Sequence, residues 1–243
     1  VAVGTPVSVL ATPVGAGWAF SIWTITGASC SGGVTSNPCT FTMPNNPVSV
    51  YATFTYTVTF NEVGITLAGA TWGVTVPAPG GIRYTATTPT SSLTVSGLSG
   101  TVTYAYDASV PAPGGGSYTC VSGCSGSVSG PTTRTATYQP QLVVTLVRPS
   151  NGATMIYPLV PFQVRVTGPG GLPVSGATVR IYVKRPGAST YVIPPMCSRT
   201  TDGRGQFSCV YPTIMFGTYS WYATASKTGS ASGTSPTWTF RGI

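Results

Sequence analysis

The chain has 243 residues, of which only 6% are charged, whereas a typical soluble domain carries about a quarter. It contains eleven Lys and Arg residues, three carboxylates and no histidine, so its formal net charge at pH 7 is +8. The missing histidine excludes a Ser-His-Asp or Cys-His nucleophilic site. The three carboxylates, Glu62, Asp107 and Asp202, lie in separate segments and leave little for acid–base catalysis or hard-metal binding. The composition predicts a protein that is not an enzyme and holds no cofactor.

Apolar residues alternate with Ser or Thr through nearly every segment, which is the pattern of half-buried β-strands. The clearest run is 48–60, where every even position is apolar. Further strands are predicted, in chain order, at 102–106, 162–166, 177–183, 207–211 and 219–225. Turns rich in Gly and Pro separate strands at 77–81, 111–116 and 168–171. No stretch has a helical period, so the sequence predicts an all-β fold.

The net charge divides the chain unevenly. Residues 1–141 hold two basic and two acidic side chains, whereas residues 142–243 hold nine basic and one acidic and carry the whole +8. A boundary is predicted beside Pro140, which cannot donate to a sheet. The run 48–60 crosses the first boundary without a linker, which favours an elongated rod of small β-sandwich or Ig-like domains in tandem. The predicted domains are the first module (residues 1–54), the second module (55–141) and the basic third module (142–243).

The six cysteines form three close pairs along the chain: Cys30 with Cys39, Cys120 with Cys124, and Cys197 with Cys209. Six cysteines allow 15 disulfide connectivities, but proximity assigns one pair to each module. The alternative is a thiolate metal site that begins at Cys120 and Cys124, although four-ligand zinc would need cysteines from two modules. Disulfides predict an oxidising, extracellular setting.

A basic stripe in the third module is the one candidate binding site. Arg180, Tyr182 and Lys184 share one face of a predicted strand, and Arg165 and Lys227 are expected to extend the patch. Such a patch suits a polyanion, an acidic glycan or a lipid surface. The alternative is a solvated outer face that keeps the protein soluble. Three tyrosines either stack on sugars or cover the sheet: Tyr182, Tyr191 and Tyr222.

The first module resembles the InlB-type B-repeat, a β module of bacterial and archaeal surface proteins. The resemblance rests on the segments 4–11, 20–23, 38–43 and 48–54. Those repeats usually open with an additional strand, and this chain begins too late to supply it. A sheet without that strand has a free edge that recruits strands from other chains. The donor would be 236–240 or 1–3 of a neighbour; otherwise the chain is an incomplete piece or the pattern is varied here.

The other two modules also resemble modules of surface proteins. Segments 56–64 and 69–76 are similar to a domain of extracellular proteins from thermophilic and acidophilic archaea, often found beside thermopsin-like proteases, whose catalytic domain is absent here. Segments 171–179, 200–207 and 217–221 resemble a bacterial-type immunoglobulin-like domain. These resemblances imply a modular cell-surface protein of a thermophilic archaeon, and they are weak for function because many proteins carry such modules.

The leading hypothesis is a secreted structural subunit of a pilus-like filament or surface layer, polymerised by β-strand addition between copies. One alternative is an adhesin or carbohydrate-binding module that binds surface glycans or other cells through the third module; another is an accessory region of a larger secreted hydrolase. Nucleic acid is not expected as a partner. No apolar run is long enough to span a bilayer. Because the chain begins at Val1 without a leader, either a signal peptide has been removed or the chain is a fragment.

Overall fold

A computed structural model describes residues 1–156, 159–212 and 216–243. Within these residues almost every regular element is a β-strand, and the one helical element is a 3-10 turn at Pro169–Gly171. The prediction of an all-β chain is therefore confirmed, with several β-sheets in succession along the chain. The strands that match the predicted alternating runs begin and end within three residues of them, because alternation sets which side chains enter a core.

The first module consists of two small antiparallel pairs of strands. Its strands are β1 (Pro6–Val9), β2 (Trp18–Thr26), β3 (Cys39–Thr42) and the start of β4 (Ser49–Val63). β1 pairs with β3, and β2 pairs with β4. Side chains from both pairs meet in one small core that contains Trp23 and Phe41.

The C-terminal half of β4 belongs to the second module. Its other strands are β5 (Thr71–Val76), β6 (Ile82–Thr87), β7 (Ser92–Leu98), β8 (Val102–Tyr106), β9 (Ser109–Pro111), β10 (Ser117–Ser122), β11 (Ser125–Val128) and β12 (Thr132–Pro140). β12 runs parallel to β4, and β7 pairs antiparallel with it. A second sheet of order β11-β8-β5-β6 covers the core, whose largest side chain is Trp72.

The third module is a sandwich of two sheets. Its strands are β13 (Val143–Arg148), β14 (Ala153–Met155), β15 (Leu159–Thr167), β16 (Thr178–Lys184), β17 (Ser198–Thr200), β18 (Gln206–Pro212), β19 (Gly217–Ser226), β20 (Gly233–Thr234) and β21 (Trp238–Gly242). The first sheet is β13-β15-β18, and the second is β14-β21-β19-β16-β17, with β20 beside β19. Phe162 and Trp221, fully buried, meet edge to face between the sheets at 4.8 Å.

Two glycine-rich loops, 111–116 in the second module and 168–171 in the third, contact each other. Gly170 N donates a hydrogen bond to Gly115 O at 2.6 Å, and a Cβ on Gly116 would lie only 2.9 Å from Gly168 O. These loops are two of the turns that the sequence predicts. Pro140 is the last residue of β12, which is the last strand of the second module. The exact module bounds remain a prediction.

Candidate assembly surface

Glu62 is the one buried carboxylate among the described residues, and it is 5% exposed. It lies near the end of β4, where its Oε2 accepts a hydrogen bond from Ile65 N at 3.2 Å. Burial raises the pKa of Glu62 above its ordinary value of 4.5, and the bond from Ile65 offsets part of that rise. The carboxylate thus closes a turn.

The other two carboxylates also have partners of their own. Asp107 forms an ion pair with Arg83, whose Nε donates to Oδ1 at 3.0 Å, and this hydrogen bond raises the pKa of Arg83. Asp202 Oδ1 accepts the backbone N–H groups of Arg204 and Gln206, at 2.9 and 2.8 Å. In the described part of the chain, no three His, Cys, Asp or Glu side chains are grouped as metal ligands.

The cysteines are bonded as Cys30–Cys39, Cys120–Cys124 and Cys197–Cys209, so each module contains one disulfide. Cys39 and Cys197 are fully buried, whereas Cys120 and Cys124 are partly exposed. None of the six is free. This bonding leaves no thiolate for the alternative metal site at Cys120 and Cys124.

The residues of the predicted basic patch do not all lie together. Arg180, Tyr182 and Lys184 share the outer face of β16, because the intervening residues of that strand are fully buried. Arg165 lies on β15, in the opposite sheet of the sandwich. Lys227 follows β19, and its Nζ donates to Ser175 O at 2.8 Å at the end of the third module that faces the second. The structure therefore brings three of the five residues together.

The tyrosines of this face contact one another. The rings of Tyr182 and Tyr222 stack with centroids 4.7 Å apart and planes 5° apart, and Tyr191 meets Tyr222 edge to face at 5.0 Å. Lys184 Nζ lies 5.3 Å from the centroid of Tyr191. Each ring of the stacked pair covers one face of the other, so those two faces are closed to a sugar.

The first module differs from the others in how few of its core side chains are fully shielded from solvent. Among the described residues, five apolar side chains are buried in its core, against 17 in the second module and 20 in the third. Ten more are only half-buried against those five. An apolar depression of about 210 Å³ is lined by Val14, Trp18 and Phe54. Of these, Phe54 packs against this core and Trp18 against the core of the second module.

β4 has partners on both edges over only part of its length. Tyr56 pairs with Trp18 of β2 and also with Leu98 of β7. A strand residue has one neighbour on each edge, so β2 and β7 lie on opposite edges of β4. β12 continues the edge of β2, since Gly17 just before β2 lies against Pro131 just before β12.

The backbone bonds show which residues of β4 face the edge of β7. Thr57 N donates to Gly17 O on the β2 edge, and Glu62 N donates to Ser91 O on the β7 edge, both at 2.9 Å. The backbone N–H and C=O groups of odd-numbered β4 residues therefore point toward β2 and β12, and those of even-numbered residues point toward β7. Because β7 ends at Leu98, opposite Tyr56, no described strand pairs with residues 50–54 on that edge.

This free edge lacks two of the usual features that prevent pairing with another chain. Native proteins protect sheet edges with charged side chains, prolines or bulges. Residues 1–61 contain no Asp, Glu, Lys or Arg, and residues 50–54 contain no proline. The edge is thus uncharged and extended.

The two segments that the sequence suggests as strand donors differ. The segment 236–240 is largely engaged, because Phe240 pairs with Tyr219 of β19 on one edge and Ala153 of β14 on the other. Its use as a donor would break two ladders of its own sheet. Val1 and Val3, in contrast, are 83% and 62% exposed and belong to no strand.

No helix in the described residues has the length and apolarity needed to span a membrane. The family model of the divergent InlB B-repeat domain matches residues 1–58. That match covers the first module and the start of the second, as the sequence resemblance predicts for the first module. No curated protein sequence matches the chain.

Three solved structures illustrate the structural similarities. An engineered protein matches 45% of this chain at 19% identity and TM-score 0.29, and the chain spans only 21% of that protein. The CARDB domain of a Pyrococcus furiosus protein matches 43% of this chain and 96% of its own, at 18% identity and TM-score 0.30. BcpA, the major pilin subunit of Bacillus cereus, matches 78% and 69%, at 12% identity and TM-score 0.29. At these scores the similarities carry no argument about function.

Proposed function

We propose that the protein is an extracellular structural subunit whose copies assemble into a filament or surface layer by β-strand addition. The observation that carries this proposal is the free edge of β4 at 50–54, which borders the half-closed core of the first module. A strand added there would gain backbone hydrogen bonds and cover apolar side chains at once. Three disulfides support the extracellular setting.

The charge distribution also favours contact between copies through the first module. Residues 142–243 carry the whole net charge of +8, so two third modules repel each other. Residues 1–61 carry none, and contact there has little Coulomb cost. Archaeal origin and life at high temperature remain predictions from the resemblance of the second module.

Sedimentation velocity of the purified, non-reduced chain tests this proposal. We expect assemblies whose share rises with protein concentration and increases when salt screens the third modules. A single species with the mass of one chain at every concentration and salt level would refute it. Reduction of the disulfides must be avoided, because loss of the fold would also remove assembly.

A second candidate function is the binding of acidic glycans by the outer face of β16. It is favoured by Arg180, which is exposed there beside the partly exposed Lys184. Binding to a sulfated polysaccharide that weakens in Arg180→Ala, and is unchanged in Arg165→Ala on the opposite sheet, would support it. The hypothesis of an accessory region of a secreted hydrolase stays a prediction.

A further inference from the structure

The proposed function, on which this inference rests, leaves open where a strand is accepted and which segment supplies it. We propose that residues 50–54 of β4 accept residues 1–3 of a second copy of this chain, which adds as a strand in line with β7. The interaction is between two different surfaces of the first module, the free edge and the N-terminal segment. Such a head-to-tail contact adds one subunit after another and generates an open filament wherever its rotation does not close into a ring.

The acceptor edge combines backbone and side-chain features. The backbones of Val50, Ala52 and Phe54 face the free edge, and their side chains are half-buried in the core of the first module. Phe54 also lines the apolar depression with Val14 and Trp18. An added strand would bring side chains of its own over this core, which the module alone leaves half-open.

The donor segment has the composition and freedom that this edge requires. Val1, Ala2 and Val3 are apolar and exposed, and three extended residues span about 10 Å, enough to cover three of the five acceptor positions. Gly4 N donates to Met43 O at 2.8 Å, which holds the chain to its own module just after the donor. The turn bond from Thr5 N to Ala2 O, 3.2 Å long, would be exchanged for ladder bonds.

β21 as a donor and β18 as an acceptor fit less well. β21 is paired on both edges, and an added strand from the third module would bring its positive charge against another copy. The edge of β18 is free on one side, but its module already has a closed core. An added strand could therefore bury further apolar side chains in the first module, whereas those of the third module are already buried in its own core.

Cysteine cross-linking between two variants tests donor and acceptor together. All six native cysteines are bonded, so a cysteine at Ala2→Cys in one chain and one at Ala52→Cys in another are the free thiols in the mixture. Facing residues of neighbouring strands have Cβ atoms about 5 Å apart, within disulfide reach. Ile82→Cys, on the exposed strand β6, replaces Ala52→Cys in the control.

We expect the Ala2→Cys and Ala52→Cys mixture to form cross-linked dimers on non-reducing gels at least tenfold faster than the control mixture. Because the added strand's register is not fixed, the acceptor cysteine is also placed at Val50→Cys and Phe54→Cys. Equal cross-linking in all mixtures, or none in any, while filaments form would overturn this inference and leave the proposed function standing. Absence of any assembly by the wild-type chain would overturn both.

A proline variant provides a second test that does not depend on cysteine. Ala52 N–H faces away from β2, so Ala52→Pro removes a ladder bond to the added strand and none within the module. Ala52→Ser keeps that N–H and is the matched control. We expect at least a tenfold rise in the concentration needed for assembly by Ala52→Pro, with an unchanged circular dichroism spectrum. Assembly like that of Ala52→Ser would overturn the proposed acceptor; if Ala52→Pro is unfolded, competition by a peptide of residues 1–5 decides instead.

Discussion

The indole of Trp18 meets the ring of Tyr56 edge to face, with 5.2 Å between the ring centroids. Trp18 begins β2 in the first module, whereas Tyr56 belongs to the buried core of the second. The contact therefore packs the first residue of β2 against the closed core of the second module. Because β4 also runs through both, the first module is held by its neighbour as well as by its own few buried residues.

Replacement of Trp18 should uncouple the two modules. In Trp18→Ala the edge-to-face contact and much apolar burial are lost, and we expect destabilisation of the first module by more than about 1 kcal/mol. Calorimetry of the variant should show a separate transition at lower temperature. Trp18→Phe keeps a ring and should behave more like wild type; an unchanged single transition in Trp18→Ala would contradict this coupling.

The three disulfides should differ in their effect on stability. Cys30 and Cys39 supply two of the five buried side chains of the first core, so the double replacement by Ala removes packing in addition to a cross-link whose loop entropy is about 3 kcal/mol. The same double replacement at Cys120 and Cys124, which are partly exposed and close a shorter loop, should cost about 2 kcal/mol. Urea unfolding measures both variants, and the reverse order would contradict the prediction.

Acid should stabilise the fold through Glu62. Because its pKa is higher in the folded chain than its ordinary 4.5, the folded state holds the proton more tightly. Stability then rises as pH falls through the folded pKa and becomes constant below about 4.5. Urea unfolding between pH 7 and pH 3 should show this rise in wild type.

The matched variant for this prediction is Glu62→Gln, which cannot ionise and should lose the rise in stability toward acid. It should also be at least as stable as wild type at pH 7, because no charge is buried. A wild-type protein that loses stability steeply between pH 7 and pH 4 would show that other groups dominate its acid response.

A methyl group at Gly170 should loosen the junction between the second and third modules. Gly170 has φ +74° and its N–H bonds to Gly115 O; a Cβ there would lie 3.0 Å from Leu67 Cδ1. Gly176 has a similar φ of +71° but open space around it, so Gly176→Ala reports the backbone strain alone, about 1 kcal/mol. We expect Gly170→Ala to be the less stable of the two in urea and the more sensitive to proteolysis near Gln141. Equal stability and sensitivity would show that the loop contact contributes little.

Alternation in the sequence predicts the strands and the side of each strand that is buried. It cannot predict which sheet a strand joins. Arg165 on β15 and Arg180 on β16 both occupy outward positions of consecutive strands, yet the chain crosses from one sheet to the other between them, so the two charges lie on opposite faces. That crossover depends on packing between sheets, which a local pattern does not record.

The proposed assembly surface was predictable only in outline. The sequence analysis predicts a free sheet edge in the first module from its resemblance, but that resemblance does not say which strand carries the edge. Locating it on β4 requires the positions of β7 and of β12, whose Thr132 pairs with Val58 far away in the sequence. The sequence also could not predict that β21 is paired within its own sheet, because its alternating pattern suits a donated strand and an internal one equally well.

Electron microscopy of the purified, non-reduced full chain tests the central claim most directly. The wild-type chain is imaged over a range of concentrations beside Ala52→Pro and Ala52→Ser. We predict filaments or sheets of repeated subunits for wild type and Ala52→Ser, and mostly separate particles for Ala52→Pro. Separate single-chain particles of the wild-type protein at every concentration would contradict the claim that copies of this chain assemble by strand addition.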